Sequence, residues 1–307
     1  MLKFSAHQYP YPSQRQSVFA RRGMVAASQP LAAQAGIEIM QKGGNAIDAA
    51  IATAAALTVV EPTGCGIGGD AFALVWCKGQ LHGLNGNGHA PAALSIEAVK
   101  AAGHEQMPLY GWTPVTVPGC PSAWAELSRR FGKLPFAELL QPAISLARDG
   151  FALSPVVAHQ WQVAVNEFTP HRDAVLKAWF ETFLIDGRAP RAGEDFRNPA
   201  QARTLQELAD TRCESLYRGA LAERLDAHSR ASGGYLRASD LKDYRAQWVD
   251  PIHINYRGVD VWEIPPSGQG LVALMALKIL EGFDFDHRDS QQTWHRQLKA
   301  MKLAYSD

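Results

Sequence analysis

Gly64-Cys65-Gly66-Ile67-Gly68-Gly69 has the spacing G-x-G-x-x-G, which in a dinucleotide site brings backbone amides at a helix N-terminus against a pyrophosphate. That mechanism needs a strand before the glycines and a helix after them. Here an Ala-rich helical stretch precedes and strand-like residues follow, so the order is inverted. The glycines read instead as allowing positive φ and tight backbone packing in a helix-to-strand turn that can border a pocket. His82 and His89 are the histidines nearest this turn; a lone histidine is more often a hydrogen-bonded structural residue than a general base. Asp284, Asp286, His287 and Asp289 match no calcium loop and read as an exposed polar connection between helices. His-Glu-x-x-His, the phosphate-loop signature and Gly-x-Ser-x-Gly are absent, and Pro266-Ser267-Gly268-Gln269-Gly270 does not complete the last. No metal or organic cofactor is expected.

The elements that position these residues follow from caps and breakers. Ser28-Gln29-Pro30 predicts a helix start with Ser28 as cap, running to about Lys42 and ended by Gly43-Gly44. Asn45 caps a second helix over Ala46 to Val60, apolar nearly all round and therefore packed within a layer. Glu61-Pro62 stops it. Phe72 to Cys77 and Gln80 to Asn85 form a hairpin about Lys78-Gly79. Helices are predicted from Pro121 to Phe131, Pro142 to Asp149, Pro199 to Ala209 behind Asn198, and Leu216 to His228. Strands return at Ile252 to Tyr256 and Val259 to Ile264, with Arg257-Gly258 between them. Trp161 to Gly193 carries the weakest pattern and leaves room for a surface excursion within it. Helices bracketing strands that return late fit a layered α+β fold better than a βαβ alternation.

Composition narrows the class. The 307 residues are 47% hydrophobic and 20% charged, enough for one large domain or two smaller ones. Thirty basic and thirty acidic residues cancel without a long block of one sign, which gives no footprint for nucleic acid or a membrane surface. Cys65, Cys77, Cys120 and Cys213 lie far apart and read as free thiols of a reducing compartment. Met1 to Arg22 contains Pro10, Pro12 and scattered charge where a leader needs an uninterrupted apolar core, so a cytoplasmic location is expected. The low-charge run Ala49 to Val60 is too short to span a bilayer, which takes ~20 apolar residues.

Several blocks, taken in order, resemble the γ-glutamyltransferase family from about Gly23 to the last residue. They begin with Gly43-Gly44-Asn45-Ala46-Ile47-Asp48-Ala49-Ala50 and Glu61-Pro62-Thr63-Gly64-Cys65-Gly66-Ile67-Gly68-Gly69-Asp70-Ala71-Phe72. Val117-Pro118-Gly119, Phe131-Gly132-Lys133-Leu134-Pro135 and Pro142 to Phe151 come next. Tyr217-Arg218-Gly219, Gly233-Gly234-Tyr235, Pro265-Pro266-Ser267-Gly268 and Lys299 to Asp307 complete the set. Single blocks are weak; the ordered set is strong. The resemblance implies an N-terminal-nucleophile hydrolase, an α+β, helix-rich, four-layer αββα sandwich built jointly by both halves of a self-cleaving precursor. Residues 1–22 are then an N-terminal extension, and 23–307 an incomplete γ-glutamyltransferase-like domain, the large-subunit portion. The resemblance places the catalytic threonine, which is activated by its own α-amine, and the oxyanion donors in the small subunit, so no catalytic residue is assigned here.

The implied partners are a small-molecule amide and a Thr-initiated small subunit from the same precursor, assembled as an oligomer of processed halves. The chain alone is expected to be inactive and to leave apolar faces exposed. Family members acting on glutathione carry Arg-Glu-x-Ala-Pro after the hairpin, the arginine clamping the substrate α-carboxylate. This chain has Asn87-Gly88-His89-Ala90-Pro91. Asn87, Gly88 and His89 are the candidate substrate-binding residues. Asn87 lacks the charge and His89 carries it only when protonated, so glutathione is expected to be a poor substrate and an acylase-like substrate better. From a different class, the alternative is a non-catalytic truncated family member that binds a ligand or partner through the same pocket wall.

Overall fold

The computed structural model describes residues 17–172, 176–285 and 287–306. Helix α1 spans Pro30–Gln41, with Pro30 in the first turn where its missing N–H costs nothing. Its N-cap is Gln29, not Ser28, whose hydroxyl instead bonds the Glu61 carboxylate. Helix α2 spans Ala46–Val60 and starts as the sequence predicts: Asn45 Oδ1 accepts from the amides of Ile47 (2.9 Å) and Asp48 (3.0 Å). Asp48 Oδ2 returns the bond to the Asn45 amide at 2.9 Å, closing a capping box. The fully buried Asp48 also accepts from Lys133 and Leu134, and Asn45 Nδ2 donates to the Phe131 carbonyl at 2.6 Å. One pair of side chains therefore caps α2 and pins a turn some 85 residues further on. Ala52, Ala55 and Ala56 of α2 are fully buried, and their small size lets α1 and later helices approach closely.

Strands β1 (Ala71–Cys77) and β2 (Gln80–Gly86) pair antiparallel about Lys78 (φ 50°) and Gly79 (φ 81°), both in the left-handed region that a two-residue hairpin demands. Side chains of Ala73, Val75 and Leu84 face inward. Phe72, Leu74 and Trp76 face the other way and are exposed, Trp76 to 71%.

Helix α3 (Ile96–Ala101) precedes α4 (Cys120–Phe131), which lies beneath the hairpin and buries Trp124 and Ala123 against it. Helix α5 (Phe136–Asp149) starts six residues before the predicted Pro142, which sits inside it. The apolar stripe of Phe136, Leu139, Leu140, Ala143 and Ala147 buries completely and outweighs the one backbone bond that Pro142 forfeits. Strand β3 (Phe151–Ala152), α6 (Pro155–Phe168), α7 (Lys177–Phe183) and β4 (Asp195–Phe196) follow, and the weakly patterned 161–193 segment, which also carries exposed stretches, contributes helices packed through Trp161 and Phe180. Trp161 and Phe180 are buried there, and Trp161 Nε1 donates to the Phe183 carbonyl at 2.9 Å. Asn198 caps α8 (Pro199–Thr211) through the Gln201 amide. The single helix predicted over 216–228 is two, α9 (Glu214–Arg218) and α10 (Ala220–Ala231), because the chain turns at Gly219 in an extended conformation.

After α11 (Ala238–Lys242), strand β5 (Gln247–Val249) adds to the free edge of β2, giving the order β1-β2-β5. Strands β6 (Ile252–Tyr256) and β7 (Val259–Glu263) form a separate hairpin at the predicted Arg257-Gly258 turn. Helices α12 (Gly270–Leu280) and α13 (Gln291–Ser306) share a smaller core of Ala276, Leu280, Ala300 and Ala304. Most of the other buried apolar residues form one large cluster centred on α2, α4, α5 and α8. Among the described residues no helix is long and apolar enough to cross a membrane.

Candidate functional site

Cross-strand partners share a face, so the register Phe72↔Asn85, Leu74↔Gly83 and Trp76↔Leu81 puts Asn85 on the bare side of the sheet. The alternation continues past β2 through Asn87 and His89, and Gln247 of β5 pairs with Asn85 on the same side. These residues line a pocket of ≈ 260 Å³ with Tyr244 and Arg245.

Backbone contacts hold the rim. The Asn87 amide donates to Asn85 Oδ1 at 2.9 Å, and the Gly88 amide to Asp70 Oδ1 at 3.3 Å. The Asn87 carbonyl accepts the Tyr244 hydroxyl at 2.8 Å, and the His89 carbonyl accepts the Val117 amide at 3.0 Å. Asn87 Nδ2 donates to Ser267 Oγ at 2.5 Å. Gly88 does not line the pocket: a Cβ there would lie 1.6 Å from the Val117 carbonyl oxygen, so its role is to let two backbones touch. Gly119 does the same against the Gly86 carbonyl, at 1.8 Å. Of the expected trio, Asn87 and His89 come together in one pocket and Gly88 supports them from behind.

The wall beneath is built from hydroxyls. Tyr217 donates to the Pro118 carbonyl at 2.6 Å and accepts from the Ser122 amide at 3.0 Å, while Ser122 Oγ accepts from the Ala246 amide at 2.9 Å. The Tyr217 and Tyr244 rings stack at 5.6 Å, and His89 lies 5.9 Å from Tyr244. Burial, followed by the charge of Asp70, pushes the Tyr244 hydroxyl up to about 12. Burial likewise pushes the Cys120 thiol up to about 12 and raises Tyr217 further. These groups stay protonated near neutrality: Tyr244 serves as a hydrogen-bond donor, and Cys120 is no nucleophile. The site is equipped to hold a polar molecule, and within it no hydroxyl or thiol is paired with an activating base.

The other sequence candidates lie elsewhere. His82 is on the α4 side of the sheet, its Nδ1 3.1 Å from the Arg130 guanidinium. Gly64, Gly66, Gly68 and Gly69 adopt no positive φ and have no tight neighbour, which corrects the reason given for them; the turn does border a second pocket, of ≈ 250 Å³, with Cys65 and Phe196. The helix-then-strand order around them stands. Asp286 falls outside the described residues, and Asp284, His287 and Asp289 form no metal-holding group among those described. Tyr244 and Arg245 escape sequence reasoning because they reach the rim from more than 150 residues away with no local motif to mark them. Asp70 and Ser267 lie within quoted blocks, but only their contacts distinguish them from their neighbours.

Comparison with known proteins gives the family. The sequence matches the family described as gamma-glutamyltranspeptidase over residues 32–307. It is 34% identical over 301 residues to the glutathione hydrolase-like YwrD proenzyme of Bacillus subtilis (strain 168), covering 95% of this chain and 55% of the relative. It is 37% identical over 291 residues to the oxamate amidohydrolase proenzyme of Klebsiella pneumoniae, covering 92% and 54%. The fold superposes on the crystal structure of cephalosporin acylase from Bacillus halodurans with a TM-score of 0.93 and 56% identity, covering 100% of this chain and 57% of that one. The chain thus spans about half the length of the curated relatives it matches, and its α+β, helix-rich architecture is that of the N-terminal-nucleophile hydrolases. On the ordered sequence blocks, the fold and the match over 32–307 together, the chain belongs to the gamma-glutamyltranspeptidase family.

Proposed function

We propose that this chain is the large-subunit portion of an N-terminal-nucleophile amidohydrolase or acyltransferase, and that it forms one wall of the acyl pocket. The observation that carries this reading is that the pocket and the bare apolar face lie on one side of one sheet. Asn85, Asn87 and His89 line the first, and Phe72, Leu74 and Trp76 form the second. A second layer packed on Phe72, Leu74 and Trp76 buries their rings and brings its own residues over Asn87 and His89. A Thr-initiated small subunit from the same precursor suits this place, and the relatives being proenzymes of about twice this length supports it.

In this mechanism the threonine α-amine takes the hydroxyl proton as the oxygen attacks the amide carbonyl, and returns it to the amide nitrogen as the C–N bond breaks and the amine leaves. The ester-linked acyl-enzyme then passes its acyl group to water or to another amine, which frees the threonine hydroxyl. The chain described here contributes positioning. Tyr244 fixes the Asn87 carbonyl, Ser267 fixes the Asn87 side chain, and Asn87 and His89 face the acyl group. Asn87 is neutral, so a γ-glutamyl α-carboxylate finds no clamp at this position; the likeness to an acylase at 56% identity points to a different acyl group.

The test is a denaturing intact-mass spectrum of the protein isolated from its own cells. A companion chain beginning with threonine is expected; a lone 33.5 kDa species refutes the processed enzyme and leaves a ligand-binding protein. A complete, processed enzyme is expected to turn over glutathione poorly, and efficient turnover with Asn87 in place refutes the substrate assignment.

A further inference from the structure

Two glycines of the turn between α2 and β1 have a local reason. The Gly64 amide donates to the Glu61 carbonyl at 3.0 Å and the Gly69 amide to the Gly66 carbonyl at 3.3 Å, and glycine is favoured at the last position of such turns. Gly66 and Gly68 have no such reason. Neither adopts a positive φ, a Cβ on Gly68 would meet nothing within 4 Å, and one on Gly66 would meet only the Gly68 amide nitrogen at 4.0 Å. Alanine suits both backbones and restricts the unfolded chain, so glycine here lowers stability with no gain inside this fold. Among the described residues, the successive amides of Gly66, Ile67 and Gly68 also donate to nothing. The turn is nevertheless held from behind. The Gly69 carbonyl accepts the Gly119 and Cys120 amides at 3.0 and 2.9 Å, and Thr63 Oγ1 donates to Gln160 Oε1 at 3.0 Å.

We propose that this turn is a docking strip for main chain, on which an extended segment of the Thr-initiated second subunit lays its carbonyl oxygens. The proposal rests on the processed-enzyme reading. A glycine needed neither for its φ nor for packing within its own chain suits a surface that another backbone approaches closely, and adjacent free donors call for a row of acceptors. An anion is the wrong occupant. The carboxylates of Glu61 and Asp70 stand at the two ends of the turn, the carbonyl end of α2 leads into it, and none of the described residues lining the adjoining pocket is cationic. Peptide carbonyls are neutral acceptors and meet no such repulsion. Beside the amides, Phe183 and Phe196 give that pocket apolar surface and Asn198 and Gln201 give it carboxamides, a setting for a side chain carried in on the same segment. The strip runs directly into Phe72 at the head of the bare sheet face, so one layer covers both.

The test is amide hydrogen exchange, read by mass spectrometry on peptides spanning 61–70, in the processed two-chain enzyme isolated from its own cells and in the 307-residue chain alone. In the enzyme the amides of Gly66, Ile67 and Gly68 are expected to be protected by about 100-fold or more, and in the chain alone to exchange near their intrinsic rates. Gly66→Ala with Gly68→Ala is expected to act with opposite signs: the melting midpoint of the chain alone is unchanged or raised, and that of the two-chain enzyme falls by more than about 3 °C. A processed enzyme in which these amides exchange freely, or whose double variant melts no lower than wild type, overturns this inference and leaves the enzyme reading. Absence of any Thr-initiated chain refutes the enzyme reading and this inference with it. Protection already present in the chain alone overturns the proposal too, whether it grows with protein concentration, which gives the turn to a second copy, or with added phosphate, which gives it to an anion.

Discussion

Asp48→Ala tests the reasoning about how the helical layer is assembled. The buried carboxylate accepts amides from Asn45 at 2.9 Å, Lys133 at 3.1 Å and Leu134 at 3.3 Å. Removing it strands these donors at once. A buried donor left without a partner costs about 1–3 kcal/mol, and the loss of an acid in the first turn of α2 adds about 0.5 kcal/mol. Water entering the vacated space recovers part of this, so the expected destabilisation is about 3–5 kcal/mol. For a chain of this size that lowers Tm by roughly 6–20 °C, at about 2–4 °C per kcal/mol. Asp48→Asn keeps one acceptor oxygen and falls between. The control is Asp149→Ala, whose carboxylate pairs with Arg148 at the exposed surface, where solvent screens the pair and its loss changes stability little. Urea unfolding followed by tryptophan fluorescence, with thermal melts in parallel, reads all three. An Asp48→Ala protein no less stable than Asp149→Ala refutes the account of Asp48 as the link between α2 and the α4–α5 turn.

Other perturbations test the remaining parts. Glu194 is held down to about 2 by Arg188, whose side chain bonds it, and then by the Arg191 amide. A lowered folded-state pKa means that the stabilisation of the 185–194 loop is complete above the usual value of 4.5 and is lost as pH falls toward about 2. Protection of this loop's amides against exchange, relative to their intrinsic rates at each pH, is expected to fall over that interval, and an unchanged response in Glu194→Gln relative to wild type would falsify the assignment. In native protein at pH 8, iodoacetamide should modify Cys77 before Cys65, whose thiol burial and Glu61 push up, and should spare the buried Cys120 and Cys213; early labelling of Cys120 contradicts its burial. The 307-residue chain by itself is expected to self-associate through Phe72, Leu74 and Trp76, and Leu74→Thr with Trp76→Thr to reduce this in sedimentation velocity. A monodisperse, unsubstituted monomer with a cooperative melt counts against the bare face as an interface.

What the sequence reveals is what is encoded locally. Asn45 and Asn198 mark helix starts because capping needs only their own side chains and the next turn, and Lys78-Gly79 marks a hairpin because few residue pairs tolerate its backbone. The start of α5 is obscured because Pro142 looks like a first-turn proline, and only burial of Phe136 and Leu139 shows otherwise. Strand β5 has three residues and no pattern of its own; it exists because the free edge of β2 accepts it. The site divides in the same way. Asn87 and His89 are legible as alternating residues beyond a predicted strand. Tyr244 and Arg245 are brought beside them by the whole intervening chain, and Gly88 appears as a candidate ligand until Val117 is seen behind it.

The apposition of Gly88 with Val117 and of Gly119 with Gly86 has a consequence for how such a pocket diversifies. Its frame is made of main chain against main chain, where a single added carbon forces two segments apart. Its lining is made of side chains that project from that frame into open space. Random substitution is therefore filtered unevenly: changes at the glycines are lost with the fold, while changes at 87, 89 and 245 pass through folding untouched and are judged by chemistry alone. A lineage can exchange one acyl preference for another by single replacements at the lining, each intermediate remaining a folded protein.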